Sequence, residues 1–243
     1  MLIFGDFFLE IKQFEPNTFD AIITDPNFGT TKCPWDTPID LAQMWVEFKR
    51  VAKPNAPIVM FAQTPFDKVL GCSNLPWLRY EWIWEKTQAS GFFNAKKMPM
   101  KAHENILVFY EKLPLYNPQY THGHKPTNSY TKYKDVQNKT SLYGGVKADI
   151  SGGGETHRYP RSVLKFSSDK QKTKLDGTIH PTQKPLALME YLVSTYTNVG
   201  DTILDPFGGS GTTGLAAQNL SRNWVLMEKE PPFVEICKKR LKM

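Results

Sequence analysis

Apolar positions recur along the chain with two spacings, and the spacing changes every ten to twenty residues. Short unbroken apolar runs read as buried strands at 1–4, where Gly5-Asp6 follows, at 19–24 and at 58–62. Two more strands are expected at 82–84 and 105–110. Between them, Leu41, Met44, Trp45, Phe48 and Val51 recur at helical spacing over 41–53, and Pro54 ends that run. A second helical face, Leu186, Met189, Leu192 and Val193, follows the prolines of HPTQKP. A strand at 202–204, a helix at 212–219, a strand at 224–227 and a last helix through Phe233, Ile236, Cys237 and Leu241 complete the pattern. Strand and helix alternate, which predicts an α/β fold with a largely parallel sheet. There is no internal repeat.

The pattern lapses over 114–175. This stretch is rich in Lys, Tyr, Asn, Gly and Ser, with little periodicity. It holds 11 basic residues against 4 acids, a net +7 in a chain whose total is +6. Four tyrosines lie between 120 and 143 (Tyr120, Tyr130, Tyr133, Tyr143), suited to packing a small lobe or to stacking on bases. A loop this long inside a compact domain is functional or disordered. An acidic partner is therefore expected, with the charge placed in one segment.

Length and cysteine content narrow the picture further. The chain of 243 residues is 40% hydrophobic, enough for one large domain or a domain with an insertion. Cys33, Cys72 and Cys237 lie far apart with no C-x-x-C, so no metal site is expected and a reducing compartment is. The N-terminus lacks a basic n-region, and no apolar run approaches the roughly 20 residues of a membrane span. A soluble, cytoplasmic protein without membrane contact is the expectation.

Two turns carry candidate chemistry. DPFGGSGTT, from Asp205, links a strand to a helix, and its glycines let backbone turn tightly and approach a ligand. About 20 residues on, Glu228 ends the next strand, where a carboxylate can accept both ribose hydroxyls of a nucleoside. No Gly-Lys-Ser/Thr follows, so this is not a phosphate-cradling loop. Asp205 would repel a pyrophosphate and favour a cationic ligand, which points to S-adenosylmethionine over a nicotinamide dinucleotide. The second turn is DPNF at 25–28. Asp25 and the Pro26 carbonyl can hold the two hydrogens of one amino group and aim its lone pair at an electrophile. Phe28 can stack on the ring that bears that amine, and Pro26 stiffens the turn. Asp-Pro at a strand end is also ordinary turn chemistry. The two turns together favour the clamp.

With both turns in view, the chain resembles the β class of amino-group DNA methyltransferases. Gly5-Asp6 ahead of FDAIITDP matches that family's opening, and KRVAKPNAPIVMF its helix-to-strand segment. WIWEK and HENILVFYEK match its later sheet, HPTQKP the segment near the methionine end of the cofactor, and DPFGGSGTT its F-x-G-x-G loop, with Phe207, Gly209 and Gly211 in register. In that class the catalytic motif precedes the cofactor motif, which accounts for the late glycine loop. The usual tetrad is Asp-Pro-Pro-Tyr; here Asn27 and Phe28 stand at its third and fourth places.

The resemblance implies a Rossmann-like S-adenosylmethionine-dependent fold. Its mostly parallel seven-stranded sheet would have flanking helices and a circularly permuted motif order. Residues 1–113 and 176–243 would form the catalytic domain, and 114–175 an inserted target-recognition region. It implies a catalytic set of Asp25, Pro26, Asn27 and Phe28. The implied cofactor set is Asp6, Thr24, Asp25, His180, Thr182, Gln183, Lys184, Asp205, Pro206, Phe207, Gly209, Ser210, Gly211, Thr212, Glu228 and Lys229, with no metal. His180, before a proline, reads as a turn residue more readily than as a general base. Lys184 reads equally as a cofactor contact and as a solvated surface charge. The implied activity is methyl transfer to adenine N6 in double-stranded DNA after the base is flipped out. Cytosine N4 and a catalytically silent DNA-binding homologue remain as alternatives. A homodimer and a cognate restriction endonuclease are compatible with the resemblance.

Overall fold

In the computed structural model, residues 1–31, 33, 35–132, 150–167, 169 and 182–243 are described. Tyr133, Tyr143 and His180, singled out from the sequence, lie outside them, as do six of the eleven basic residues of 114–175. In chain order the elements are β1 (Leu2–Phe4), α1 (Phe7–Glu10), β2 (Ala21–Thr24), α2 (Leu41–Val51), β3 (Ile58–Ala62), α3 (Phe66–Ser73), β4 (Leu78–Ser90) and β5 (Lys101–Phe109). Then come β6 (Tyr130–Lys132), β7 (Ile150–Gly152), β8 (Val163–Phe166), α4 (Leu186–Tyr196), β9 (Thr202–Asp205), α5 (Thr212–Asn219), β10 (Asn223–Glu228) and α6 (Pro231–Leu241).

The chain divides into two compact units, Pro118–Pro160 and the remainder. The larger unit holds one sheet of eight strands in the order β1-β10-β9-β2-β3-β5-β4-β8. Pairing is parallel except on either side of β5. The expected sheet had seven strands. The eighth, β8, comes from the stretch first assigned to the insertion. Leu164 is its one buried side chain, and the Trp84 indole fixes its end by donating to the Phe166 carbonyl at 2.9 Å. Four residues of alternation amid polar neighbours give little signal in a sequence.

The two sheet faces follow from the period of two. Ile22, Ile58, Met60 and Ala62 pack with Phe7, Met44, Phe48 and Leu70 of α1, α2 and α3. Ala21, Ile23, Val59 and Phe61 pack on the other face with Leu188, Leu192 and Val193 of α4 and Ala216 of α5. Each fully buried Ile or Phe here adds about 1.5–3 kcal/mol. Helix α2 begins where Asp40 accepts from the Gln43 amide at 3.0 Å.

One pairing decides the chemistry. β2 and β9 lie side by side and parallel, with Ala21 opposite Ile203 and Ile22 opposite Leu204. Their C-terminal ends therefore share one edge of the sheet. Asp25 follows the first strand and Asp205 closes the second, so 180 residues of chain separation become adjacency. Such an edge, beyond the carboxyl ends of parallel strands, is where open α/β sheets bind ligands.

The smaller unit is held by its own contacts. Thr121 and Arg158 exchange backbone hydrogen bonds at 3.1 and 2.8 Å, and β6 pairs antiparallel with β7. The Arg158 guanidinium donates to the carbonyls of Lys125, Glu155 and His157. Tyr120 meets His157 and Tyr159 edge-on.

Candidate active site

A cavity of about 520 Å³ opens at the shared strand edge. Its wall takes in Asp25–Phe28 from the end of β2, and 205–210 with Thr212 from the loop after β9. Glu228 and Lys229, Asp6, and 182–184 complete the rim. Most of the residues expected to form a site are thus brought together. Thr24 and Gly211 are not on the cavity wall. Thr24 is fully buried beneath it, and Gly211 adopts φ +77°, where an added Cβ would sit 3.2 Å from the Cys237 sulfur.

Asp25 and Glu104 each keep one buried carboxylate oxygen without a hydrogen-bond partner among the described residues on this wall. Asp25 accepts from Lys184 Nζ on Oδ2 at 2.6 Å, and its Oδ1 is the unpartnered oxygen. Burial pushes its pKa up to about 6, although 22% of the side chain stays accessible; the Lys184 charge opposes that rise and the Glu104 charge adds to it. A carboxylate offers about four acceptor positions, so most of this one is unused.

Lys184 is not a solvated surface charge, and it lies on the cavity wall. It is 7% exposed and forms ion pairs with Asp25 and, at 3.3 Å, with Glu104. Burial works against its charge, but the two carboxylates more than offset this and its pKa is raised. Glu104 also accepts from Lys86 Nζ at 2.5 Å. Burial raises the Glu104 pKa, and the two lysines pull it below the ordinary value overall. The Lys184 ammonium also lies over the rings of Phe28 and Phe61, at 5.8 and 5.1 Å. Two residues on, the Leu186 amide donates to Asp169 at 3.1 Å and ties down the start of α4.

Phe28 stacks on Phe66, ring centroids 5.2 Å apart, which fixes its plane. Asn27 donates from Nδ2 to the Trp35 carbonyl at 2.7 Å. Asp36 accepts the amides of Gly29, Thr30 and Thr31 at 2.7–3.0 Å. Burial disfavours its charge, but the Thr31 hydroxyl and these amides lower its pKa overall. The chain after the tetrad is thereby folded into the cavity wall, where Thr30, Trp35 and Ile39 also lie.

Asp205 is held differently. Thr24 Oγ1 and Thr213 Oγ1 each donate to it at 2.6 Å, and the Phe207 amide at 3.1 Å. Burial raises its pKa, tempered by those donors. Its carboxylate braces the loop from within. Glu228 accepts the Gly209 amide on Oε2 at 2.7 Å and the Glu230 amide on Oε1 at 2.8 Å. Burial raises its pKa as well. Ser210 and Thr212 are tied by Arg240, whose Nη1 lies 2.7 and 2.9 Å from their hydroxyls. Asp6 caps α1 through the Phe8 amide at 2.9 Å, and Phe207 packs 5.4 Å from Phe7.

The family model for N6/N4 methyltransferases, described as DNA methylase, matches residues 19–239. The chain belongs to that family. Its relatives include the type II methyltransferase M.HpaI of Haemophilus parainfluenzae, 28% identical over 95% of this chain and 70% of the relative. The type II methyltransferase M1.MboII of Moraxella bovis is 26% identical over 92% of this chain and 89% of its own. Among solved structures, the M1.HpyAVI–SAM complex superposes with TM-score 0.63 at 26% identity, over 100% of this chain and 99% of that one. The cytosine-N4-specific PvuII DNA methyltransferase shares the fold, with TM-score 0.68 at 18% identity over 98% and 85% of the two chains.

Sequence reasoning missed Glu104, Lys86, Thr30, Thr31 and 35–40 on the wall of the methylase's cavity, and Arg240, which ties down two of its hydroxyls. Glu104 carried a faint signal, an acid where an outer apolar residue of HENILVFYEK would be expected. Arg240 gave none, since its target lies 28–30 residues away on another element. Among the described residues, no cluster of three or more His, Cys, Asp or Glu could hold a metal. No helix of the described residues is long and apolar enough to cross a membrane.

Proposed function

We propose that this methylase transfers a methyl group from S-adenosylmethionine to the N6 amine of adenine in double-stranded DNA. The observation that carries the reading is the unpaired Oδ1 of Asp25, beside the Pro26 carbonyl at the tip of β2 and on the wall of the cavity that 205–210 also lines. An unpaired buried acceptor costs about 1–3 kcal/mol, a cost that a clamp for an incoming amine explains.

The residues present fit the cofactor. The cavity is of ligand size. Glu228, oriented by two amides, would take the ribose hydroxyls; Asp6 and Phe207 would border the adenine. When bound, S-adenosylmethionine supplies an electrophilic methyl group on a sulfonium.

The remaining work belongs to the chain. Lys184 fixes the Asp25 carboxylate by one oxygen. The other oxygen and the Pro26 carbonyl accept the two amine hydrogens of the target base. That draws the nitrogen lone pair out of the ring and stabilises positive charge growing on nitrogen. In a water-poor wall such fixed dipoles act more strongly than in solution. Phe28, braced by Phe66, offers a flat surface for the base. Asn27 spends its side chain on the Trp35 carbonyl and leaves Asp25 and the Pro26 carbonyl untouched, which argues for an active enzyme. The basic 114–175 region would bind phosphates and read bases.

The same clamp suits cytosine N4. Asp at the head of the tetrad favours adenine, since the cytosine-N4 branch tends to carry Ser there. Tritiated methyl transfer to unmethylated DNA, followed by nucleoside analysis, tests the reading. N6-methyladenine is expected. N4-methylcytosine would replace the substrate, and absence of label with cofactor bound would leave a silent homologue.

A further inference from the structure

The ribbon of β4 and β5 extends well past the sheet that carries it. β5 pairs with β3 only over Asn105–Phe109 on its side, and β8 accompanies β4 only to Lys86. Beyond those points the two strands run on alone, through a register shift after Glu85, to Ser90 opposite Lys101. Every residue from 87 to 103 is exposed. Gly91, at φ +90°, turns the chain into a short 3-10 helix, Phe92–Asn94, that carries two bare aromatic rings. Phe93 is 99% exposed and Phe92 74%, with Met98 and Met100 behind them. A folded monomer has no reason to present two phenyl rings in this way; each offers 150–250 Å² for burial against a partner.

The charge around the rings says which partner. Lys96, Lys97 and Lys101 stand between Lys86, which is paired with Glu104, and Glu104, with no acid among them. A second copy of this chain, itself net +6, would meet this arm with like charge. A polyphosphate backbone complements it, and stacked bases provide the flat apolar surface that a phenyl ring can enter. The arm is also rooted in the active site. Lys86 and Ser90 line the cavity, and Lys101 Nζ donates to Oε1 of Gln63, another cavity residue, at 2.9 Å.

We propose that this arm docks on duplex DNA beside the nucleotide drawn into the cavity, with its lysines on phosphates and Phe93 entering the stack as a wedge. The proposal rests on the DNA-methylating reading above and deepens it. Unstacking is the cost a base-flipping enzyme must meet, and a ring that enters the gap offsets it.

The test uses the whole protein and a duplex containing the methylated position, once that position has been mapped with the wild-type enzyme. Failure of the wild type to methylate any DNA would strike the proposed function and not the arm. F92A/F93A is expected to lose about 10-fold or more in kcat/KM on the intact duplex, with cofactor affinity unchanged by calorimetry. An abasic site opposite the target, which removes the pairing that must be broken, should restore most of that loss. K96Q/K97Q should weaken binding and reduce the salt slope by about 2. Wild-type rates for F92A/F93A on the intact duplex would overturn the wedge, as would a loss that the abasic site does not restore. A wild-type dimer that this double substitution splits, at full activity per chain on DNA, would reassign the arm to self-association.

Discussion

Two aspartates end neighbouring strands and border one cavity, yet their carboxylates are spent differently. Asp205 accepts from two threonine hydroxyls and a backbone amide, one each from the adjoining strand, the first turn of α5 and its own loop. Asp25 has one donor, Lys184, and a second oxygen with none among the described residues. The first arrangement holds a loop together, and the second leaves accepting capacity idle at a cost. Residue type and sequence motif are alike at the two positions, Asp-Pro in each. The hydrogen-bond inventory sets the brace apart from the acid proposed above as the clamp, and substitutions can be chosen to break that distinction.

The largest effect is expected at Asp25. Asp25→Ala should lower methyl transfer roughly 10³-fold, because it removes an acceptor that acts on charge developing in the transition state. Its thermal midpoint and cofactor affinity should stay near wild type, since Glu104 remains as counter-ion to Lys184. Single-turnover transfer together with calorimetry would show this. Substantial residual transfer would mean that the idle oxygen is not the clamp.

Asp205→Ala should do the reverse. It strands two buried hydroxyls and an amide, at a cost of about 3 kcal/mol in urea unfolding. Cofactor affinity should fall with it, since the loop from Phe207 to Ser210 loses its anchor. A variant with unchanged stability would erase the contrast with Asp25.

The acid limb of the activity profile gives a smaller and more selective signal. Asp25 must be ionised to accept from an amine, and burial has pushed its pKa up to about 6. Activity should therefore fall as pH drops through about 6, while DNA and cofactor binding change less. Lys184 opposes that rise, so Lys184→Gln should move the acid limb to higher pH. A merely structural lysine would lower the rate at every pH without moving the limb.

How much of this could be read beforehand differs by element. The strands over Ile58–Ala62 and Thr202–Asp205 and the helix over Thr212–Asn219 stood out because their apolar residues face the core on one or both sides. Helix α3 escaped notice, being eight residues long with Asp67 and Gly71 buried within it. β4 runs 13 residues although only Trp82–Trp84 announced it; its outer half is polar and leaves the sheet. The adjacency of Asp25 and Asp205 was legible because two motifs at strand ends imply one sheet edge. The partners of Lys184 were not. Local context identifies a charged residue, whereas its counter-ions, just past β2 and on β5, are set by tertiary packing.

Asn27 offers the mildest test and bears directly on how the clamp is stiffened. The family's usual proline at this position would limit backbone freedom through its ring. Here the side chain does related work from outside the backbone, by donating to the Trp35 carbonyl across the turn. Asp36 reinforces the same segment through three amides, so one lost bond should leave most of the turn in place. Asn27→Ala removes a single part-buried hydrogen bond worth about 1 kcal/mol. The loss should appear as about a 3-fold rise in KM with kcat nearly unchanged, because the bond lost anchors the cavity wall at Trp35 and is not made by Asp25 or the Pro26 carbonyl. A fall in kcat comparable to that of Asp25→Ala would instead place Asn27 among the groups that contact the reacting amine.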